Sequence, residues 1–199
     1  MPDKYRMKST IFYVHGFNSS HRSFAYLESL IDSEPVKKID YDSRKSLDDI
    51  VAQVLKQLPK GQPITLVGHS LGGLIALLLA GRKSVQAERV ITISSPLGGS
   101  KAAVFAQWVV SGLPILSDIT PSSRAVRELI TFKDVPPVLS LISIGGSLPT
   151  SGEPNDSVVS VASQKAFLPA KKIEINANHF EILMHEKTIS TIQSFIERA

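Results

Sequence analysis

The feature that most constrains this chain is a glycine-rich turn, Gly68-His69-Ser70-Leu71-Gly72-Gly73. It lies between residues 64–67, which are predicted to form a buried strand, and residues 74–80, an apolar run predicted to form a buried helix. In so tight a turn the central serine has a strained backbone, and glycine at positions 68 and 72 avoids clashes that a Cβ atom would create. A strand, this turn and a helix, in that order, predict a nucleophile elbow that presents the Ser70 hydroxyl. The competing interpretation is a glycine-rich turn that only leads into a buried helix.

Short apolar runs alternate with helical patterns along the chain. This alternation predicts an α/β fold with a mostly parallel six-stranded sheet flanked by helices. The chain has 199 residues, 43% of them hydrophobic, which is enough for one domain with a large core. We therefore expect a single domain over residues 1–199. The predicted strands are 10–14, 36–41, 64–67, 89–94, 138–144 and 172–175.

The alternation is interrupted once, by an insertion over residues 97–137 that resembles a short cap or lid. We predict two helices in it, 102–110 and 122–130, and the second has Thr120 as its N-cap and Pro121 at its first position. The apolar side chains of the insertion have two open interpretations: they pack on the body of the protein, or they form a mobile cover over an apolar pocket. These side chains are Phe105, Trp108, Val109, Leu113, Ile115 and Leu116.

Composition excludes several kinds of site. The chain has no cysteine, so a disulfide, a thiol nucleophile and a cysteine metal site are impossible. It has neither a His-Glu-x-x-His pattern nor a calcium-binding loop, and no glycine-rich loop precedes a Lys-Ser or Lys-Thr pair. We expect no metal and no cofactor.

Charge and hydropathy argue against a nucleic-acid-binding or membrane-spanning protein. The net charge is +4, but the basic residues stand in scattered pairs without interleaved aromatic residues, which is typical of a solvated surface. The longest apolar run, 74–80, is far shorter than the roughly 20 residues of a membrane-spanning helix. The charged residues 1–8 precede only a short apolar strand, unlike a signal peptide, so we expect a cytoplasmic protein.

Two further residues can activate the Ser70 hydroxyl. A serine needs a base to take its proton and a third group to orient that base. Asp156 lies in the long loop after the fifth predicted strand, and His179 follows the sixth. Each candidate lies just beyond the carboxyl end of its strand, so the three loops can converge at one edge of the sheet.

Backbone N–H groups can stabilise the oxyanion of a tetrahedral intermediate. Leu71 directly follows the serine, so its N–H is one candidate. The other is the N–H of Phe17, after the first predicted strand, where Gly16 lets the chain bend. Both would donate to the same oxygen.

Other residues compete for these roles. His185 is a rival base, although the helical pattern places it inside the last helix. The candidates that compete with Asp156 for the acid are Asp118, Asp134 and Glu153. We favour Asp156 because Val158 and Val159 follow it. His15 and His69 lie inside motifs and are expected to support turns by packing and hydrogen bonding.

Five motifs along nearly the whole chain resemble the α/β-hydrolase superfamily. Within it the chain is similar to small lipases and carboxylesterases that have a Gly-His-Ser-x-Gly-Gly elbow and a His-Gly turn. Only nine residues precede Thr10, so we expect a pared-down sheet of six strands without the family's first antiparallel strands. The motifs are His15-Gly16-Phe17, Gly68-His69-Ser70-Leu71-Gly72-Gly73, Ser94-Ser95-Pro96-Leu97-Gly98-Gly99-Ser100, Asn155-Asp156-Ser157-Val158-Val159 and Asn178-His179-Phe180.

The resemblance implies Ser70 as nucleophile, His179 as base, Asp156 as the acid that orients it, and Phe17 and Leu71 as oxyanion donors. It implies a serine hydrolase that cleaves small-molecule carboxylic esters through an acyl-enzyme. The apolar insertion favours a substrate with an apolar acyl part. A thioesterase or an acyltransferase with the same triad stays open, as does a non-catalytic binding domain that retains the fold.

Overall fold

The computed structural model describes residues 9–31, 35–110, 112–147 and 152–197. Its centre is a six-stranded sheet in the order β2-β1-β3-β4-β5-β6, and every neighbouring pair is parallel. The predicted α/β fold is confirmed, and each predicted strand is present with its ends moved by at most two residues. The strands are β1 Thr10–Val14, β2 Val36–Ile39, β3 Ile64–His69, β4 Ala87–Ile93, β5 Val138–Ser143 and β6 Lys171–Ile175.

Helices cover both faces of the sheet. One hydrophobic cluster joins the sheet to α2, α3 and the insertion, and a second joins it to α1 and α8. Because both faces are covered, all six residues of β3 and all six of β5 are buried. The helices are α1 Ala25–Leu30, α2 Leu47–Leu55, α3 Leu71–Ala80, α4 Lys101–Val109, α5 Pro114–Asp118, α6 Arg124–Ile130, α7 Val161–Gln164 and α8 Glu186–Glu197, with 3-10 turns at His21–Phe24 and Glu181–Met184.

The strand order reverses at β1 and β3, which are neighbours in the sheet. After β1 the chain enters α1 on one face, whereas after β3 it enters α3 on the other face. A crevice therefore opens between the carboxyl ends of these two strands, which is where ligands bind in open α/β sheets. The residues that follow β1 and β3, including Gly16 and Ser70, line this crevice.

The insertion differs from its prediction in two respects. It contains an additional helix, α5, between the two that were predicted. The predicted cap was also wrong: α6 begins at Arg124, and the hydroxyl of Ser123, not that of Thr120, accepts the N–H of Val126 at 3.3 Å. Thr120 instead donates its hydroxyl to the carbonyl of Ser117 at 3.1 Å, because it lies just past the end of α5.

The apolar side chains of the insertion divide between the two expectations. Ile115 and Leu116 are buried in the core, and Leu113 packs against it. Phe105 is 73% exposed. The side chains of Trp108 and Val109 lie outside the described residues. Packing therefore accounts for α5, whereas one face of α4 is open to solvent.

The described ranges contain neither a membrane-spanning helix nor a cluster of metal-ligating side chains. No helix there is long and apolar enough to cross a bilayer. The same residues contain no group of three or more His, Asp or Glu side chains arranged to hold a metal ion.

We expect Ser123→Ala to lower the free energy of unfolding by about 1 kcal/mol, since it removes the hydroxyl that caps α6. Thr120→Ala is the matched control and should cost less than about 0.5 kcal/mol. Urea unfolding monitored by circular dichroism measures both values. A larger loss for Thr120→Ala than for Ser123→Ala would contradict the observed cap.

Candidate active site

Ser70 lies in a strained turn between β3 and α3, with φ 54° and ψ −123°. A Cβ atom on Gly68 would lie 2.3 Å from the carbonyl carbon of Gly72, and one on Gly72 would lie 1.9 Å from the carbonyl oxygen of Val14. The backbones of the strand, the turn and β1 therefore approach more closely than any side chain allows. This approach confirms the predicted need for glycine at both positions.

Hydrogen bonds hold the strained serine in place. Its N–H donates to the carbonyl of Ile93 at 2.8 Å, and its carbonyl accepts the N–H of Gly73 at 3.1 Å. A residue in such a conformation costs about 1–3 kcal/mol, so it persists only where its surroundings fix it. Here the surroundings are β4 on one side and the buried helix α3 on the other.

Asp156 and His179 form a buried hydrogen-bonded pair. The imidazole Nδ1–H of His179 donates to Asp156 Oδ2 at 2.8 Å, and the two residues are 2% and 0% exposed. The backbone N–H of His179 also donates to the carbonyl of Asp156 at 2.9 Å. Because a carboxylate only accepts, the proton of a neutral His179 lies on Nδ1, and Nε2 keeps a free lone pair.

The Asp156 carboxylate accepts four further hydrogen bonds. Its Oδ1 accepts the N–H groups of Val158 at 2.9 Å and Val159 at 2.7 Å. Its Oδ2 accepts the Ser143 hydroxyl at 2.5 Å and the Gln164 amide at 3.1 Å. Burial acts to raise the pKa of Asp156, but its hydrogen bonds and the neighbouring His179 hold that pKa below the ordinary value.

Ser143 and Gln164 were not identified from the sequence as partners of Asp156. Both are polar residues that are almost fully buried, at 0% and 1% exposed. Ser143 is the last residue of a strand whose neighbours are almost all apolar, and a buried hydroxyl needs a partner. A serine at the end of an apolar strand was the one available signal in the sequence. It indicates that the hydroxyl has a hydrogen-bond partner, but it does not identify that partner.

His69 connects the serine turn to the His179 loop. Its Nε2–H donates to the carbonyl of His179 at 2.8 Å, and the two rings lie 4.9 Å apart. Burial, with a smaller contribution from His179, lowers the pKa of His69 to about 3. His69 is therefore a neutral donor that brings the His179 loop to the residue next to Ser70, as expected of a supporting side chain.

The turn after β1 passes directly beside Ser70. A Cβ atom on Gly16 would lie 3.1 Å from Ser70 Cβ. The His15 Nδ1–H donates to the Gly16 carbonyl at 2.8 Å, and its ring stacks on Tyr41 at 4.1 Å. In a trans peptide the C=O and the next N–H point in opposite directions, so this hydrogen bond also fixes the direction of the Phe17 N–H.

Leu71 stands at the other side of the serine, as the first residue of α3. The first N–H groups of a helix have no partner within the helix. The Leu71 N–H is therefore available for a ligand, as is required of an oxyanion donor. Leu71 itself is 1% exposed, so its side chain anchors the turn in the core.

Three of the four competing residues make contacts with residues other than His179 and Asp156, and the fourth is exposed. His185 precedes α8 rather than lying inside it, which corrects the prediction, and its Nδ1 accepts the N–H of Lys187 at 3.1 Å. Asp118 accepts the N–H of Leu47 at 2.8 Å. Glu153 pairs with Lys101 at 2.9 Å, and Asp134 is an exposed surface residue.

A cavity of about 490 Å3 lies between the start of α4 and the loop that carries Asp156. Ala102, Phe105, Val158 and Val159 form its apolar wall, and polar residues, including Lys101, Glu153 and Asn155, line the rest. The N–H groups of Val158 and Val159 donate to Asp156, so this wall belongs to the loop that carries Asp156.

We expect His69 to make the protein less stable in acid. Its folded-state pKa of about 3 lies below the ordinary value of 6.5, so the unfolded chain binds the proton first as the pH falls. Its contribution to stability is complete above about pH 6.5 and declines as the pH falls towards 3. His69→Gln keeps a donor for the His179 carbonyl but does not titrate, so the slope of unfolding free energy against pH should decrease over this range. Urea titrations at several pH values measure this slope, and an unchanged slope would contradict a neutral buried His69.

Comparison with known families and structures agrees with this geometry. Residues 15–121 match the model of a family described as the alpha/beta hydrolase fold. A curated relative, the biotin biosynthesis bifunctional protein BioHC of Teredinibacter turnerae, is 34% identical over 99 residues, which cover 44% of this chain. The match covers only 17% of that relative's length, so the chain spans a small part of it.

Solved structures share the fold at low sequence identity. The lipase BlEst2 of Bacillus licheniformis in its mature form has a TM-score of 0.69 at 16% identity, with 95% of this chain and 92% of that chain covered. A lipase-esterase related protein of Clostridium acetobutylicum gives 0.66 at 14%, covering 95% and 93%. MenH from S. aureus gives 0.65 at 15%, covering 98% and 95%. By the family match and the shared fold, the chain belongs to the α/β-hydrolase fold family.

Proposed function

We propose that this protein is a serine hydrolase that cleaves carboxylic esters through an acyl-enzyme formed on Ser70. The observation that carries the proposal is the buried Asp156–His179 hydrogen bond, which His69 links to the turn of a strained serine. Titratable pairs in this arrangement activate a hydroxyl nucleophile. The structural relatives described as a lipase and as a lipase-esterase related protein support the same reaction class.

In the first half of the proposed reaction, His179 Nε2 takes the proton from Ser70 Oγ as that oxygen bonds to the ester carbonyl carbon. The carbonyl oxygen becomes an anion and accepts hydrogen bonds from the N–H groups of Leu71 and Phe17. The intermediate then collapses: the bond to the alcohol oxygen breaks, and His179 gives its proton to the departing alcohol. The acyl group remains on Ser70.

In the second half a water molecule takes the place of the alcohol. His179 removes one proton from the water, and the resulting hydroxide oxygen bonds to the acyl carbon. The bond to Ser70 Oγ breaks, His179 returns the proton to that oxygen, and the carboxylic acid leaves. Asp156 remains ionised throughout and stabilises the imidazolium that forms in each half.

We propose an apolar acyl part for the substrate. Three apolar side chains next to site residues are exposed: Phe17 in the turn after β1, Phe180 beside His179, and Val158 in the acid loop, at 39%, 65% and 39%. The cavity between α4 and the acid loop has the volume of a small-ligand pocket and an apolar wall. We assign it to the acyl chain.

The cytoplasmic location stays a prediction.

Ser70→Ala should abolish hydrolysis of a p-nitrophenyl ester, because no nucleophile remains, while circular dichroism shows an intact fold. Two histidine variants form a matched pair. His179→Ala should lower kcat by about a thousandfold or more, the scale of losing a triad member, whereas His185→Ala should retain it. Steady-state kinetics measure all three, and full activity of Ser70→Ala or loss of activity only in His185→Ala would refute the assignment.

Ala102→Trp should lower kcat/KM for an octanoyl ester by about tenfold relative to an acetyl ester, since the indole fills part of the cavity. Val104→Trp is the matched control: Val104 lies on the same helix and is exposed, but it does not line the cavity. It should leave the ratio of the two esters unchanged. Equal ratios in both variants would place the acyl chain elsewhere without affecting the assignment of Ser70.

A further inference from the structure

Two buried polar side chains that the proposed reaction does not use lie behind the Asp156 carboxylate. Ser143 ends β5 and Gln164 ends α7. The Ser143 hydroxyl lies 2.5 Å from Asp156 Oδ2, and the Gln164 amide nitrogen lies 3.1 Å from the same atom. His179 Nδ1 also binds Oδ2. Both side chains therefore act on the carboxylate oxygen that faces the base.

The orientation of the Gln164 amide is fixed by the backbone of Ser143. Its Oε1 accepts the N–H of Ser143 at 2.9 Å, and its Nε2 donates to the carbonyl of Ser143 at 3.1 Å. Exchanging the amide oxygen and nitrogen would break both hydrogen bonds. The NH2 group must therefore face Asp156 as a donor.

The direction of the Ser143 hydroxyl is fixed in the same way. The Ser94 hydroxyl lies 2.7 Å from Ser143 Oγ. Since the carboxylate can only accept, the Ser143 proton points to Asp156, and the Ser94 hydroxyl donates to Ser143. Ser94 follows β4 with a φ of 50°, so a second strained residue supports this relay.

We propose that Ser143 and Gln164 are positioning residues, which hold Asp156 ionised and in one rotamer so that Oδ2 faces His179 Nδ1. The backbone N–H groups of Val158 and Val159 fix Oδ1, and these two side chains fix Oδ2. Without them, His179 would be the one remaining partner of Oδ2 among its described hydrogen bonds. The inference rests on the proposed function, because it assigns these residues a role in orienting its base.

Ser143→Ala tests the proposal, with Ser140→Ala as a matched control. Ser140 lies on the same strand, is 1% exposed, and its hydroxyl is hydrogen-bonded to that of Thr92 at 2.8 Å rather than to Asp156. Ser143→Ala should lower kcat about tenfold or more with little change in KM, since it removes a hydrogen bond to a charged group. Ser140→Ala should change neither constant.

The pH profile separates positioning from a merely structural effect. With one donor lost, the carboxylate becomes more basic, so the His179–Asp156 pair takes up its proton at a higher pH. The acid limb of kcat/KM should therefore move to higher pH in Ser143→Ala and stay in place in Ser140→Ala. Ser143→Thr, which keeps the hydroxyl, should restore the unmodified profile.

Gln164→Glu gives an independent test with a side chain of the same shape. It replaces the donor to Oδ2 by an acceptor and adds negative charge, so its acid limb should move further than that of Ser143→Ala. Gln164→Met, which removes the donor without adding charge, should lie between Gln164→Glu and the unmodified protein. This order of effects depends on the contact with Asp156 and not on side-chain volume.

A readout that needs no substrate keeps this proposal separate from the proposed function. The Nδ1–H of His179 should give a low-field imidazole signal in the proton NMR spectrum of the free protein. We expect the signal in the unmodified protein and in Ser140→Ala, and its displacement in Ser143→Ala and Gln164→Glu. If these displacements occur in a protein that cleaves no ester, the proposed function fails and the positioning role stands. If Ser143→Ala matches Ser140→Ala in kcat, acid limb and NMR signal, the positioning role is overturned.

Discussion

The close approach of three backbone segments at Gly72 is the constraint on which the rest of the site depends. A side chain at this position would overlap the carbonyl of Val14 at the end of β1, and one at Gly68 would overlap Gly72 itself. Because the first turn of α3 can therefore lie against the ends of β1 and β3, Ser70 is forced into a left-handed conformation at the sheet edge. The same contact brings the turn after β1, with Gly16, beside the serine. The positions of Ser70 and of both proposed oxyanion donors therefore depend on the same close packing at Gly72.

His179 and Asp156, the proposed base and acid, are connected to this arrangement by buried hydrogen bonds. His69 joins the elbow to the His179 backbone, and Asp156 binds His179 through both its side chain and its carbonyl. Ser143 and Gln164 then fix Asp156 to β5 and α7. A fully satisfied buried network of this kind is rigid, and each member left without its partner would cost free energy of unfolding. The site is therefore preorganised before any ligand binds.

The sheet could be predicted from the sequence, because parallel strands carry continuous apolar runs. The placement of Ser70, Asp156 and His179 at one edge could be predicted too, because the carboxyl ends of parallel strands share an edge. Features that depend on contacts between distant segments could not be predicted from the sequence. Thr120 and Ser123 are both good caps in isolation, and the position of α5 decides between them. Ser143 and Gln164 are ordinary polar residues until the fold places them on the Asp156 carboxylate, and the burial of Ile115 beside an exposed Phe105 depends on how the insertion packs.

The most direct test of the account is the site of acylation. The protein is mixed with a short p-nitrophenyl ester, quenched in acid within its first turnovers, and analysed by intact mass and peptide mapping. We expect one added acyl group, located on Ser70, whose amount rises with the initial release of p-nitrophenol. Turnover of the ester with no acyl group on Ser70, or with the group on another residue, would contradict it.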